Sequence, residues 1–161
     1  MSAIATRATM SVLVSLILAT SVSAQSLEVK RFNPSEWTKG RFTEIITVTG
    51  PGKTIYLAGV GAEDETAPAG ASAPIRHLGD PYQQCVYAYD KIKRSLAAHG
   101  ATLADVVKQV VRHRHPLPGT GRQMSQRGLC GRADPNTFLV INGLAIQGML
   151  LEIDVTAVVA K

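Results

Sequence analysis

The sequence predicts an α+β domain, a single sheet of mixed strands with helices on one face. One long amphipathic helix follows Asp80-Pro81. Alternating or β-branched runs stand on both sides of it, in the order β-β-α-β-(α)-β-β. The chain has 161 residues, room for one ordinary domain. Apolar residues make up 45% and charged residues 18%, which suits a packed core and argues against wholesale disorder. Aromatics at 5% argue against a surface built on base stacking.

Residues 1–24 read as a secretory signal peptide. Arg7 gives the positive start, Met10–Ala19 the apolar run, and Val22-Ser23-Ala24 the small residues before a cut at Gln25. The apolar run is too short for a bilayer span. The expected mature domain is 25–161, exported to the periplasm or beyond, with no membrane anchor left after cleavage. Cleavage removes one of 17 basic residues and none of the 12 acidic ones, taking the formal charge from +5 to +4. In an oxidising compartment Cys85 and Cys130 could form a disulfide, but two separate thiols fit the sequence equally well.

Phe32-Asn33-Pro34-Ser35 reads as a turn, and Phe42–Val48 as a strand. Gly50, Pro51 and Gly52 supply a reversal, so Thr54–Ala58 is expected to return as the second arm of an antiparallel hairpin. Residues 62–81 hold Ala, Gly and Pro with few large apolar groups, and read as a loop that either covers something or is a plain insertion.

The helix is expected over 82–99. Asp80 is a suitable N-cap, Pro81 fits the first turn, and Cys85, Ala88, Tyr89, Ile92 and Leu96 form one apolar stripe. Lys91, Lys93 and Arg94 lie toward the C-terminal end, where cations favour the dipole, and Gly100 closes the helix. Thr102–Asp105 reads as a capping turn, Val106–Arg114 as a strand, and 121–129 as a short helix.

Thr137–Asn142 and Leu150–Ala160 are the last strands. In the second, Leu151, Ile153, Val155, Ala157 and Val159 share one face; Leu150, Glu152, Asp154, Thr156 and Val158 share the other. Two carboxylates on a sheet face that no helix covers call for burial against other subunits, and a closed ring achieves that.

Three strings then carry a resemblance: Ile55–Gly59, Leu96–Lys108 (LAAHGATLADVVK) and Gly143–Val158 (GLAIQGMLLEIDVTAV). On these the mature chain resembles the RidA/YjgF family, the reactive intermediate deaminases formerly grouped as L-PSP endoribonucleases. The match runs over roughly residues 40–160. It implies a homotrimer whose sheets enclose a central barrel, with clefts between subunits that bind small carboxylates. Active members hydrolyse enamines and imines there to 2-oxo acids and ammonia, without a cofactor.

Glu152 matches the acidic position that orients the attacking water. The family's carboxylate-binding arginine stands fifteen residues earlier, which here is Thr137. A guanidinium fork is hard to replace in that task. The serine and glutamine that often flank the glycine of the second strand are here Ala58 and Val60. Thr137, Asn136 and Tyr56 remain as candidate substrate-binding residues, with Arg132 as a cation that reaches the cleft from its loop. Tyr82 is a further wall candidate.

His113 and His115 share a strand face but lack a third ligand nearby, so no metal is expected. Arg112, Arg114, Arg122, Arg127 and Arg132 fall in a stretch free of acidic residues, a possible anion or RNA surface. No aromatic residue interleaves with them, which disfavours nucleic acid. The expected partners are two further copies of the chain and a small carboxylate-type ligand.

Overall fold

The computed structural model describes residues 25–39, 42–67, 73–114 and 136–161. The expectations for the signal peptide, the 121–129 helix, His115, Arg122, Arg127, Cys130 and Arg132 lie outside these residues.

Among the described residues the strands are β1 (Glu28–Phe32), β2 (Ile45–Thr49), β3 (Gly52–Val60), β4 (Val106–Arg114), β5 (Asn136–Ile141) and β6 (Leu151–Ala160), with one α-helix, α1 (Pro81–Ala97). A four-stranded mixed sheet has the order β3-β6-β4-β5. Only β4 and β5 run parallel; β6 pairs antiparallel with both β3 and β4.

The expected hairpin between the second and third strands does not form. β2 pairs instead with β1, from Glu28 opposite Thr49 to Phe32 opposite Ile45, in a separate two-stranded sheet. The connection from β1 to β2 is held by local bonds. Asn33 Nδ2 donates to the Phe42 carbonyl at 2.6 Å, and the Ser35 amide donates to Glu44 Oε1 at 3.1 Å. Trp37 meets Phe42 edge-on. β2 thus belongs to its own ribbon, and β3 pairs with β6 instead. Three charged residues among Glu28–Phe32 hide β1 from a search for hydrophobic alternation.

α1 starts where its cap dictates. Asp80 Oδ1 accepts from the Gln83 amide at 3.0 Å, and Pro81 occupies the first turn without losing a bond. Cys85, Ala88, Ile92 and Leu96 are fully buried, and Tyr89 nearly so. They pack on Val106, Val111, Leu151, Ile153, Val155 and Ala157. Truncating Ile92 or Leu96 to alanine in such a core costs about 2–5 kcal/mol. The helix closes with Ala101 N–H donating to the Leu96 carbonyl at 2.9 Å, across Gly100 at φ +74°. That left-handed turn is cheap for glycine alone. Thr102 and Asp105 cap each other in the short turn that follows. Cys85 is disulfide-bonded, and among the described residues no cysteine is a free thiol.

Lys91 does not sit in solvent at the end of the helix. It is buried, and its ammonium donates to the Gly61 carbonyl at 3.2 Å, the Glu63 carbonyl at 3.0 Å and Glu63 Oε1 at 2.5 Å. The start of the 62–81 loop is thus tied to the helix. Further on, Glu63 bridges Ile75, Asp64 N–H donates to the Pro74 carbonyl, and Arg76 pairs with the Asp64 carboxylate at 2.8 Å. At both described ends the loop is a pinned insertion.

The Thr66 hydroxyl and backbone N–H, with Arg76 behind them, hold the Asp64 carboxyl below its ordinary value. A lowered folded value means that this support is complete above the usual aspartate range near pH ~4. It is lost as pH falls through the folded value. The exchange protection of the Asp64 and Arg76 amides, relative to their intrinsic rates at each pH, should therefore fall on acidification below about pH 4. Asp64→Asn should remove that pH step; an unchanged step in the variant would refute the assignment.

Candidate functional site

The two-residue period of β6 decides what the sheet presents. Leu151, Ile153, Val155 and Ala157 are buried under α1, so Glu152, Asp154 and Thr156 project from the opposite, open face. β4 lies antiparallel to β6 with Arg112 opposite Glu152 and Val110 opposite Asp154. Residues opposite each other in a ladder point to the same side, so Arg112 meets both acids. Its Nη1 donates to Asp154 Oδ1 at 3.2 Å and to Glu152 Oε1 at 3.5 Å, and its Nη2 to Asp154 Oδ2 at 3.5 Å. The side chains of Arg112, Glu152 and Asp154 are 33%, 25% and 32% exposed. One guanidinium faces two carboxylates, so the cluster carries one negative charge in surplus.

Glu152 also rests on β3. A Cβ added at Gly59 would lie 2.4 Å from Glu152 Cδ and 2.5 Å from its Oε1. A side chain at position 59 would push the Glu152 carboxylate out of that space. The ladder between β3 and β6 shifts register between Leu57 and Val60, around this contact. Such irregularities re-aim side chains beside functional sites.

Thr137 emerges on the same open face, beside Val110 in the parallel ladder. Its hydroxyl accepts from Lys108 Nζ at 2.6 Å. Tyr56 is 78% exposed and opposite Thr156 on β3. It shares the open face with Glu152 but lies four residues farther along β6. Asn136 does not join them. It pairs with Gln109, which is buried under α1, and its Oδ1 is buried without a hydrogen-bond partner. Arg132 lies outside the described residues. Tyr82 belongs to the first turn of α1, across the sheet from Glu152. His113 is buried on the helix side, its ring 4.5 Å from that of Phe138.

Lys108 and the pairing of Arg112 with Glu152 and Asp154 were not legible in the sequence. Arg112 reads there as one of a run of arginines, and only the β4–β6 register makes it the partner of both acids.

The fold of this chain has known counterparts. No family model and no curated protein matches it by sequence. Solved structures do match. YyfB from Yersinia pestis, a protein of unknown function in the Rid family, aligns with TM-score 0.64 at 23% identity, over 81% of this chain and 98% of its own. RidA from an Antarctic Psychrobacter aligns with TM-score 0.53 at 19% identity, over 74% of this chain and 89% of its own. The likeness defines the class: this is an α+β domain with the RidA/YjgF fold. Within that fold, an acidic pair clamped by one arginine stands on the open sheet face.

Gly59→Ala should turn the Glu152 carboxylate off β3 at little cost in folding stability, because the atoms in its way are the end of a flexible side chain. Gly143 has nothing within 4 Å of an added Cβ, so Gly143→Ala is the control and should change little. The side-chain carboxyl NMR signal of Glu152 in both variants checks the difference; a signal unmoved in Gly59→Ala would sink the contact.

Proposed function

We propose that this chain is an exported Rid-like protein that assembles as a homotrimer. Its clefts between subunits hold small 2-imino acids, which it hydrolyses to 2-oxo acids and ammonia. The observation that supports this most is the seat of Glu152. Its carboxylate stands on the open face, against a glycine that leaves room for it, at the position where the resemblance expects the family's acid.

In this reading Glu152 takes a proton from water as the water oxygen bonds to the imine carbon. The C=N electron pair moves to nitrogen, which is protonated. The carbinolamine then collapses: its C–N bond breaks, ammonia leaves, and the C=O of the 2-oxo acid forms. A carboxylate positioned in this way contributes typically 10²–10⁴-fold. Arg112, itself held by Asp154, holds Glu152 in place.

The trimer is supported by what the open face carries. Tyr56 and Leu139 are exposed there beside half-buried Val110 and Ile141. Closing three such faces together removes apolar surface from water. Export rests on residues 1–24. Anion or RNA binding by the 112–132 arginines is not favoured, because Arg112 is engaged by two carboxylates.

A second reading, a trimer that binds small carboxylates without turnover, is favoured by the sharing of Arg112 between Glu152 and Asp154. Ammonia release from freshly generated 2-iminopropanoate separates the two. The expected result is release above buffer that falls by about 100-fold or more in Glu152→Ala. Thermal stabilisation by pyruvate with no release in the native protein would favour binding alone. Sedimentation at micromolar concentration should give three chains; a monomer would remove both readings.

A further inference from the structure

The resemblance expects a cation at position 137, and Thr137 supplies none. A neighbouring strand brings one to the same place. Lys108 Nζ lies 2.6 Å from Thr137 Oγ1 and donates to it.

An irregularity in the sheet puts it there. Val106 pairs with Ala157 on the buried side, so simple alternation would turn Lys108 inward as well. The ladder shifts between Val106 and Lys108, and Lys108 pairs with Thr156. That resets the phase: Lys108, Val110 and Arg112 face outward, while Gln109, Val111 and His113 turn in. One bulged residue thus moves an ammonium from the core side to the face that carries Glu152.

The charge on Lys108 is also available. Arg112 is engaged by Glu152 and Asp154, Lys91 by Glu63, Lys93 by Asp90, and Arg94 by Glu65. Among the described residues Lys108 has no carboxylate within ion-pair distance; its bond goes to a neutral hydroxyl. An exposed ammonium and a hydroxyl aimed together form a site for an anion's oxygens. Thr137 stands two strands from Asp154 and one row from Glu152, roughly 10–12 Å between Cα atoms.

We propose that Lys108, with Thr137, is the substrate-carboxylate anchor of this chain, which selects small 2-imino or 2-oxo monocarboxylates. The inference rests on the cleft reading above. The ammonium is a point charge without the guanidinium's fork, so it selects for charge more than for orientation. Replacing a bond between charged groups with a neutral side chain corresponds to about tenfold or more in affinity.

The test is steady-state ammonia release from 2-iminopropanoate, with pyruvate and its methyl ester compared as ligands by thermal shift. Lys108→Met should raise KM about tenfold or more, leave kcat within a few-fold, and abolish the preference for pyruvate over the ester. Lys108→Arg should restore both. Sedimentation controls for assembly, since a merely structural role would not erase the acid-over-ester preference. If the native protein turns over and Lys108→Met matches it in KM and preference, the anchor is wrong and the hydrolase stands. If the native protein does not turn over, but pyruvate stabilises it and not Lys108→Met, the anchor stands and the hydrolase falls. If neither turnover nor pyruvate binding occurs, both fall.

Discussion

β6 lies between two antiparallel partners, and its alternation commits the whole domain. Leu151, Ile153, Val155 and Ala157 fill the floor beneath α1, and no slip of one residue is tolerable. A slip would bury Glu152 and Asp154 under an apolar helix and expose four core side chains. The same constraint that makes the core therefore fixes both carboxylates on the open side. Site and stability are set by one strand read from its two faces.

Around β6, backbone irregularities do the aiming. On one flank the register shift in β3 and the bare Cα of Gly59 make the seat for Glu152. On the other, the shift in β4 turns Lys108 outward and keeps Arg112 in line with the acids. A regular four-stranded ladder with the same sequence would not bring these groups to one face. On the far side of the sheet Tyr89 donates from its hydroxyl to buried Gln109 at 2.7 Å, and Gln84 bonds the chain just before β6.

The 62–81 segment gains a physical description as well. Lys91 alone engages two carbonyls and a carboxylate of its first residues, so detaching the loop would strand a buried ammonium. Its described ends belong to the helix layer, whose own contacts keep them from the open face.

Much of the fold is legible from residue patterns. The stripe Cys85, Ala88, Tyr89, Ile92 and Leu96, the Asp80 cap and the two-faced Leu150–Ala160 run each state a local requirement, and the structure meets each one. The β1–β2 pairing was not legible, because strand partners are chosen between segments and β1 has no hydrophobic period to announce it. The site divides in the same way. Glu152 can be picked out by its string, yet the arginine that holds it and the lysine that stands by Thr137 depend on register and on single-residue bulges. The sequence alone determined which side chains must be buried and which carboxylates must not, since periodicity is a property of one segment. Only the tertiary structure decided which cation meets which acid, since that depends on how separate strands slide against one another.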